Sequence, residues 1–199
     1  MTQMKSLARA GALSLAALSV VSLSACMTEP MQKKSMASTA PVTVGGAPMY
    51  ANKDIVDNAV NSKDHTTLVA AVKAAGLVDT LKSSGPFTVF APTNAAFAAL
   101  PAGTVDTLLK PENKPALTKV LTYHVVAGRM DAAALQKAIL AGGGKATLTT
   151  VAGGKLVATS SGNRMMLTDE SGGMSHVTIG DVYQSNGVIH VVDKVLLPK

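Results

Sequence analysis

Tryptophan is absent from this 199-residue chain, cysteine occurs once, and phenylalanine and tyrosine occur three times each. A single Cys excludes an internal disulfide framework and any zinc site built on several thiolates. So few flat rings argue against a neutral-sugar platform and against a stacking surface for single-stranded nucleic acid. Charge is also sparse, 15% of residues, with 12 acids against 18 Lys and Arg. The cations are scattered rather than gathered into a basic stripe, so nucleic acid is excluded as a partner. Enzyme signatures are missing too. Gly173-Met174-Ser175-His176-Val177 lacks the second Gly of a nucleophile elbow. Gly142-Gly143-Gly144-Lys145-Ala146 lacks the first Gly of a phosphate loop, because Ile139 stands there, and Ala146 replaces the magnesium-binding hydroxyl residue. A glycine turn from helix to strand explains that run. What is present is 47% apolar residues, enough for one compact domain with extensions.

The first extension is an address. Residues 1–9 carry Lys5 and Arg9 and no acid, and an uncharged apolar run follows to Leu23. That pattern predicts an export signal, too short for a membrane span. It ends in Leu23-Ser24-Ala25-Cys26, which resembles the lipobox of bacterial lipoproteins. The resemblance implies a signal peptide over residues 1–25, cleavage before Cys26, and a membrane lipid attached to the Cys26 thiol. The product would be held at the cell envelope, at the outer membrane or the periplasmic face, or else secreted. Cleavage removes two of the eighteen cations and no acid, leaving a net charge of +4.

Residues 26–52 read as the lipidated Cys and a flexible tether. Pro30, Pro41, Pro48 and Gly45-Gly46 break any helical or strand period. Such a coil holds a domain roughly 25–30 Å from its anchor on average. Met27, Met31 and Met36 are soft enough for Cu(I), but their irregular spacing without histidine makes a plain tether the better reading.

Residues 53–199 read as the folded domain. Its first half is helical: Leu68, Val69 and Val72 form one apolar face, with Asp64 or Thr66 as cap and Gly76 as stop. Phe87–Ala91 is a short strand, followed by helices over 94–100, 104–109, 115–124 and 132–140. Leu117, Val120, Leu121 and His124 fall at i, i+3, i+4 and i+7, which turns His124 inward. The second half is β-rich. Runs at 146–151, 155–159, 164–168 and 174–179 are separated by glycine turns, predicting an antiparallel meander. Val188–Val192 is apolar on both faces and reads as a central strand. Helices first and hairpins afterwards make an α+β domain.

Three segments carry a family resemblance. Thr88-Val89-Phe90-Ala91-Pro92-Thr93-Asn94-Ala95-Ala96-Phe97 resembles the first signature block of fasciclin (FAS1) domains. Leu121-Thr122-Tyr123-His124-Val125-Val126 resembles the Tyr-His motif. Ser185-Asn186-Gly187-Val188-Ile189-His190-Val191-Val192-Asp193 resembles the second block. The resemblance implies a wedge of two packed β-sheets with several short helices along one side. It also implies a non-catalytic adhesion or interaction module without cofactor. Thr93, Asn94, Tyr123, His124, Asn186, Gly187 and His190 are the family-motif positions, with structural or adhesive roles. Asn94 stands where many members have Asp, and His65 where Phe is common. The Asn52-Lys53-Asp54-Ile55 tetrapeptide matches an integrin-associated motif of animal members but lies far from its place before the second block. The aligned positions, Ile179-Gly180-Asp181-Val182, do not support integrin recognition.

Among the four histidines, only His124 and His190 read as inward-facing, too few for a metal centre. Tyr123 and His124 are expected to bond backbone or polar groups near Asn186 and Asp193, fixing helix to sheet. Ser175 and His176 are neighbours on a strand, so they cannot pair as nucleophile and base. Asp181, Val182 and Tyr183 form the candidate contact surface, a charge beside an aromatic. The whole reads as an envelope-anchored or secreted fasciclin module that binds protein, extracellular matrix or an anionic polysaccharide, with no metal site and no catalytic residue. The alternative is a periplasmic carrier or sensor for a small ligand or copper.

Overall fold

Two short strands, β1 (Val42–Val44) and β2 (Ala47–Met49), pair as a hairpin across Gly45-Gly46. Both glycines have positive φ, 58° and 75°, as a two-residue hairpin turn requires. Val44 and Met49 are buried in the main core, while Pro48 faces out. The reading of a flexible tether as far as Asn52 is therefore corrected. Strands of three residues are too short to show a period, and Pro48 occupies an outward position where its missing N–H does no harm. The structure, a computed structural model, describes residues 41–199 except 102 and 163. The segment read as an export signal, Cys26 and the first part of the expected tether lie outside the described residues.

The remaining elements follow in order: α1 (Ile55–Ala59), α2 (Thr66–Ala75), α3 (Val78–Lys82), β3 (Phe87–Pro92), α4 (Asn94–Ala98), α5 (Thr104–Leu109) and α6 (Lys114–Tyr123). Then come β4 (Val125–Ala127), α7 (Ala132–Ala141), β5 (Lys145–Thr149), β6 (Lys155–Ser161), β7 (Arg164–Thr168), β8 (Met174–Gln184) and β9 (Gly187–Val192). The sheet order is β4-β3-β9-β8-β7-β6-β5. Strands β5 to β9 form the antiparallel meander expected from the sequence, and β9 is central, wholly buried, and parallel to β3.

The two sheets of the wedge are halves of this one ladder, joined through β8. Met174–His176 pairs with β7, while Val177–Gln184 pairs with β9 through two bulges. Bulges bend and twist a strand, and here they let the halves face each other. Between them lies a core of Phe90, Tyr123, Leu148, Leu156, Leu167 and Val192, closed by Leu135 and Ile139 of α7. A second core lies on the other side of β3 and β9, where Val89, Ala91, Ile189 and Val191 meet α1, α2, α4 and α6.

The apolar stripe of α2 is Leu68, Ala71, Val72 and Ala75, and the helix stops at Gly76 with φ 73°. Leu77 N–H donates to Val72 O and Gly76 N–H to Lys73 O, the bond pair of a left-handed helix stop. Neither Asp64 nor Thr66 caps its start. That role falls to Asn94, described below.

Candidate functional site

His124 follows the last turn of α6 and is buried with its partners on both sides. Its Nδ1 donates to Val120 O at 2.8 Å, and its Nε2 accepts from Leu196 N–H at 3.0 Å. This pair of bonds fixes the neutral Nδ1–H tautomer. Burial drives the imidazole pKa down to about 4, against the pull of the Val120 carbonyl and the Asp169 charge. The ring therefore fastens α6 to the C-terminal tail in its uncharged form.

Tyr123 is fully buried, on the opposite side of the joint. Its hydroxyl donates to Lys155 O at 2.7 Å and accepts from Glu170 N–H at 3.1 Å, holding α6 to β6 and to the turn after β7. Gly154 packs so closely that an added Cβ would meet the Tyr123 ring. The pair fixes helix to sheet as expected, and His124 does so three residues past Asp193; the expectation of partners near Asn186 is corrected. Tyr123 reaches the second half of the sheet and His124 the C-terminal tail.

Thr93 and Asn94 divide two helix starts between them. Thr93 Oγ1 accepts from Ala96 N–H at 3.2 Å and caps α4. Asn94 Oδ1 accepts from Thr67 N–H at 3.0 Å, so it caps α2 from a distant part of the chain. Its Nδ2 donates to Lys63 O at 2.8 Å, which an aspartate could not do. His65 is 2% exposed, a correction to the reading that only two histidines face inward; Ser62 Oγ lies 2.8 Å from its Nδ1. Burial lowers the His65 pKa, with Asp64 opposing.

Asn186 and Gly187 make a third joint. Asn186 Oδ1 accepts from Ile55 N–H at 3.2 Å and Nδ2 donates to Leu81 O at 2.6 Å, drawing α1 and α3 onto the β8–β9 turn. Gly187 begins the parallel pairing with β3, and a Cβ there would collide with Phe87 O. His190 stacks on Phe90 with ring centroids 5.7 Å apart, and its Nε2 donates to Met130 O at 2.8 Å. Burial again lowers the pKa.

The fasciclin domain profile matches residues 63–198. The chain belongs to the fasciclin family. It is 50% identical over 145 residues to protein sll1483 of Synechocystis, covering 72% of this chain and 73% of that one. It is 37% identical over 165 residues to immunogenic protein MPB70 of Mycobacterium bovis, covering 80% and 75%. The cell surface glycolipoprotein MPB83 of the same species is 33% identical over 165 residues, covering 80% and 66%. Among solved structures, a FAS1 domain pair from the insect cell adhesion molecule fasciclin I superposes with a TM-score of 0.64 at 18% identity. That match covers 73% of this chain and about half, 51%, of the insect domain pair, and it shows the shared fold.

In this fasciclin domain the motif side chains sit at separate joints and do not converge on a common pocket. The residues read as a contact surface are also engaged internally. Val182 is 1% exposed and belongs to the core, which corrects its place on that surface. Asp181 adopts the left-handed conformation, φ 57°, and its Oδ1 accepts from Ala132 N–H at 2.6 Å at the start of α7. Asp131 caps the same helix through Ala134 N–H, 2.8 Å, and Tyr183 Oη donates to Asp131 Oδ2 at 3.3 Å. Two carboxylates at one helix start favour its positive end. Asp181→Ala should therefore lower stability by about 1–2 kcal/mol in urea titration. An unchanged midpoint would show that the Asp181 carboxylate is not needed by α7.

Asp169 escaped the sequence reading. Its carboxylate accepts from Ser171, Gly173 and Leu197 N–H, at 2.9, 2.7 and 3.0 Å, locking the β7–β8 turn to the C-terminal tail. Only the Gly172-Gly173 that follow hinted at it. The buried Asn58–Gln184 side-chain bond was equally silent. An apolar cavity of about 50 Å³ lies between α2, α3, α6 and β3, bordered by Leu68, Val72, Leu81, Leu121 and His124. His124 uses both its ring nitrogens in protein bonds, so it offers this cavity no free polar atom. Among the described residues, no three His, Cys, Asp or Glu side chains gather as a metal cluster.

Proposed function

We propose that this fasciclin protein is an envelope-held interaction module, anchored through a lipid on Cys26 and acting by contact with a protein or matrix partner, without catalysis. The observation that carries this reading is the internal use of the motif. Tyr123, His124, Thr93, Asn94 and Asn186 direct their polar groups to backbone and side chains of the domain itself. They build a rigid frame, and partner contact falls to the outer surface. Support for the location comes from the export-like first 25 residues and from the name of the cell-surface relative MPB83. A mature charge of +4 also suits an anionic polysaccharide, held weakly and released by salt.

The lipid anchor is tested first. Cys26→Ser cannot form a thioether, so the variant should move from the detergent phase to the aqueous phase, or remain as unprocessed precursor. Unchanged detergent partitioning would end the lipoprotein reading. Crosslinking in intact cells, with the Cys26→Ser chain as control, should recover an envelope or matrix partner for the anchored form.

A further inference from the structure

We propose that the outer face of β7 and β8 binds a monovalent copper ion through Met166, Met174 and His176, with Asp193 orienting the imidazole. The register brings these groups together. Met166 lies directly opposite His176, and Thr168 lies opposite Met174. Met174 and His176 are two residues apart on β8, so they share a face, and Met166 shares it across the ladder. Leu167 and Ser175, which alternate with them, are fully buried on the other face. Met174 is 54% exposed, and Met166 and His176 are half-buried. Directly opposed residues have Cβ atoms about 4.5–5.5 Å apart and diagonal ones roughly 7–8 Å. Unbranched thioether side chains with three rotatable bonds close such gaps easily.

The histidine is held ready for this task. Asp193 follows β9 and grips His176 twice: Oδ1 accepts from the backbone N–H at 2.7 Å, and Oδ2 accepts from Nδ1–H at 3.2 Å. With the proton on Nδ1, the lone pair is on Nε2. A carboxylate behind a ligating imidazole is the arrangement that fixes tautomer and raises ligand basicity in metal sites. Ser175 Oγ donates to the same Asp193 Oδ1 at 3.1 Å and helps to hold the carboxylate in place.

The donor set selects the ion. Two neutral thioethers and one imidazole are soft donors that suit Cu(I) and match hard or zinc-like cations poorly. Three donors satisfy a trigonal Cu(I), and binding needs no change of oxidation state. The two thioethers carry no proton to lose.

The test uses the full chain under anaerobic reducing conditions, with Cu(I) divided between protein and a coloured Cu(I) chelator. One equivalent should bind per chain. The combined Met166→Leu and Met174→Leu variant should lose on the order of 100-fold in affinity, and His176→Ala a similar amount. Leu conserves volume at half-exposed positions, so the melting temperature of the double Met variant should stay that of the parent. With Ag(I) as the NMR surrogate, the His176 Nε2 resonance should move while Nδ1 keeps its proton. Retention of all Cu(I) by the chelator, undiminished binding by the double Met variant, or Ag(I) on Nδ1 would each overturn the proposal.

Discussion

His124→Ala is expected to destabilise the domain by about 2–4 kcal/mol and to remove part of its acid sensitivity. The loss has two sources: Leu196 N–H is left buried without its acceptor, and the ring leaves a hole beside Leu121. For a domain of this size the melting temperature should fall by roughly 5–15 °C. The pH behaviour follows from the pKa of about 4 in the folded state against an ordinary value near 6.5. Because the folded pKa is depressed for a base, the unfolded chain binds the proton more readily between those values. The stabilisation is full above about pH 6.5 and is lost as pH falls towards 4, by about 3 kcal/mol in all. Urea midpoints at pH 7 and pH 4.5 check this. The parent should lose more stability between them than His124→Ala does. Equal losses would mean that His124 is not what titrates. His65 and His190, also lowered by burial, add to the same slope and remain in the variant.

Gly187→Ala should be worse. The new Cβ would strike the carbonyl oxygen of Phe87 and crowd Ile55 Cδ1 at 3.1 Å, at the point where β9 first meets β3. Backbone cannot swing aside as a flexible side chain can. The first paired residues must separate, and Phe87 N–H, which donates to Asn186 O at 3.0 Å, shifts with them. A loss of about 3 kcal/mol or more is expected, seen as poor soluble yield and a much lower urea midpoint. A parent-like midpoint would show that β3 can move at little cost.

The sequence was most informative where a local pattern is long or a turn is chemically marked. The apolar spacing of α6, the glycine-punctuated meander and the doubly apolar β9 each carry several residues of signal. The three fasciclin segments brought the family with them. What stayed hidden depends on contacts far apart in the chain. That Asn94 caps α2, that Asp169 holds Leu197, and that Asp181 serves α7 could not be seen from spacing, because each pairs segments at least 27 residues apart. Asp181 and Tyr183 lie two residues apart, and nothing in that spacing reveals the start of α7 that they bond. The β1–β2 hairpin was missed because its period is too short and its glycines and prolines also spell a linker. The partners of Tyr123 and His124 beyond α6 lie 32 to 72 residues away and come together only in the assembled fold.

The partnership of β3 with β9 also bears on when the molecule can fold. Phe87 pairs with Gly187 and Pro92 with Val192, each a separation of 100 residues. A chain made from its N-terminus has α1 to α7 in hand, yet lacks the strand on which both cores rest, until β9 itself has been made. Contacts so remote in sequence form slowly, since a long loop must close before they give any return. The order of strands in the sheet acts as a timer that holds back assembly of the two cores until β9 has arrived.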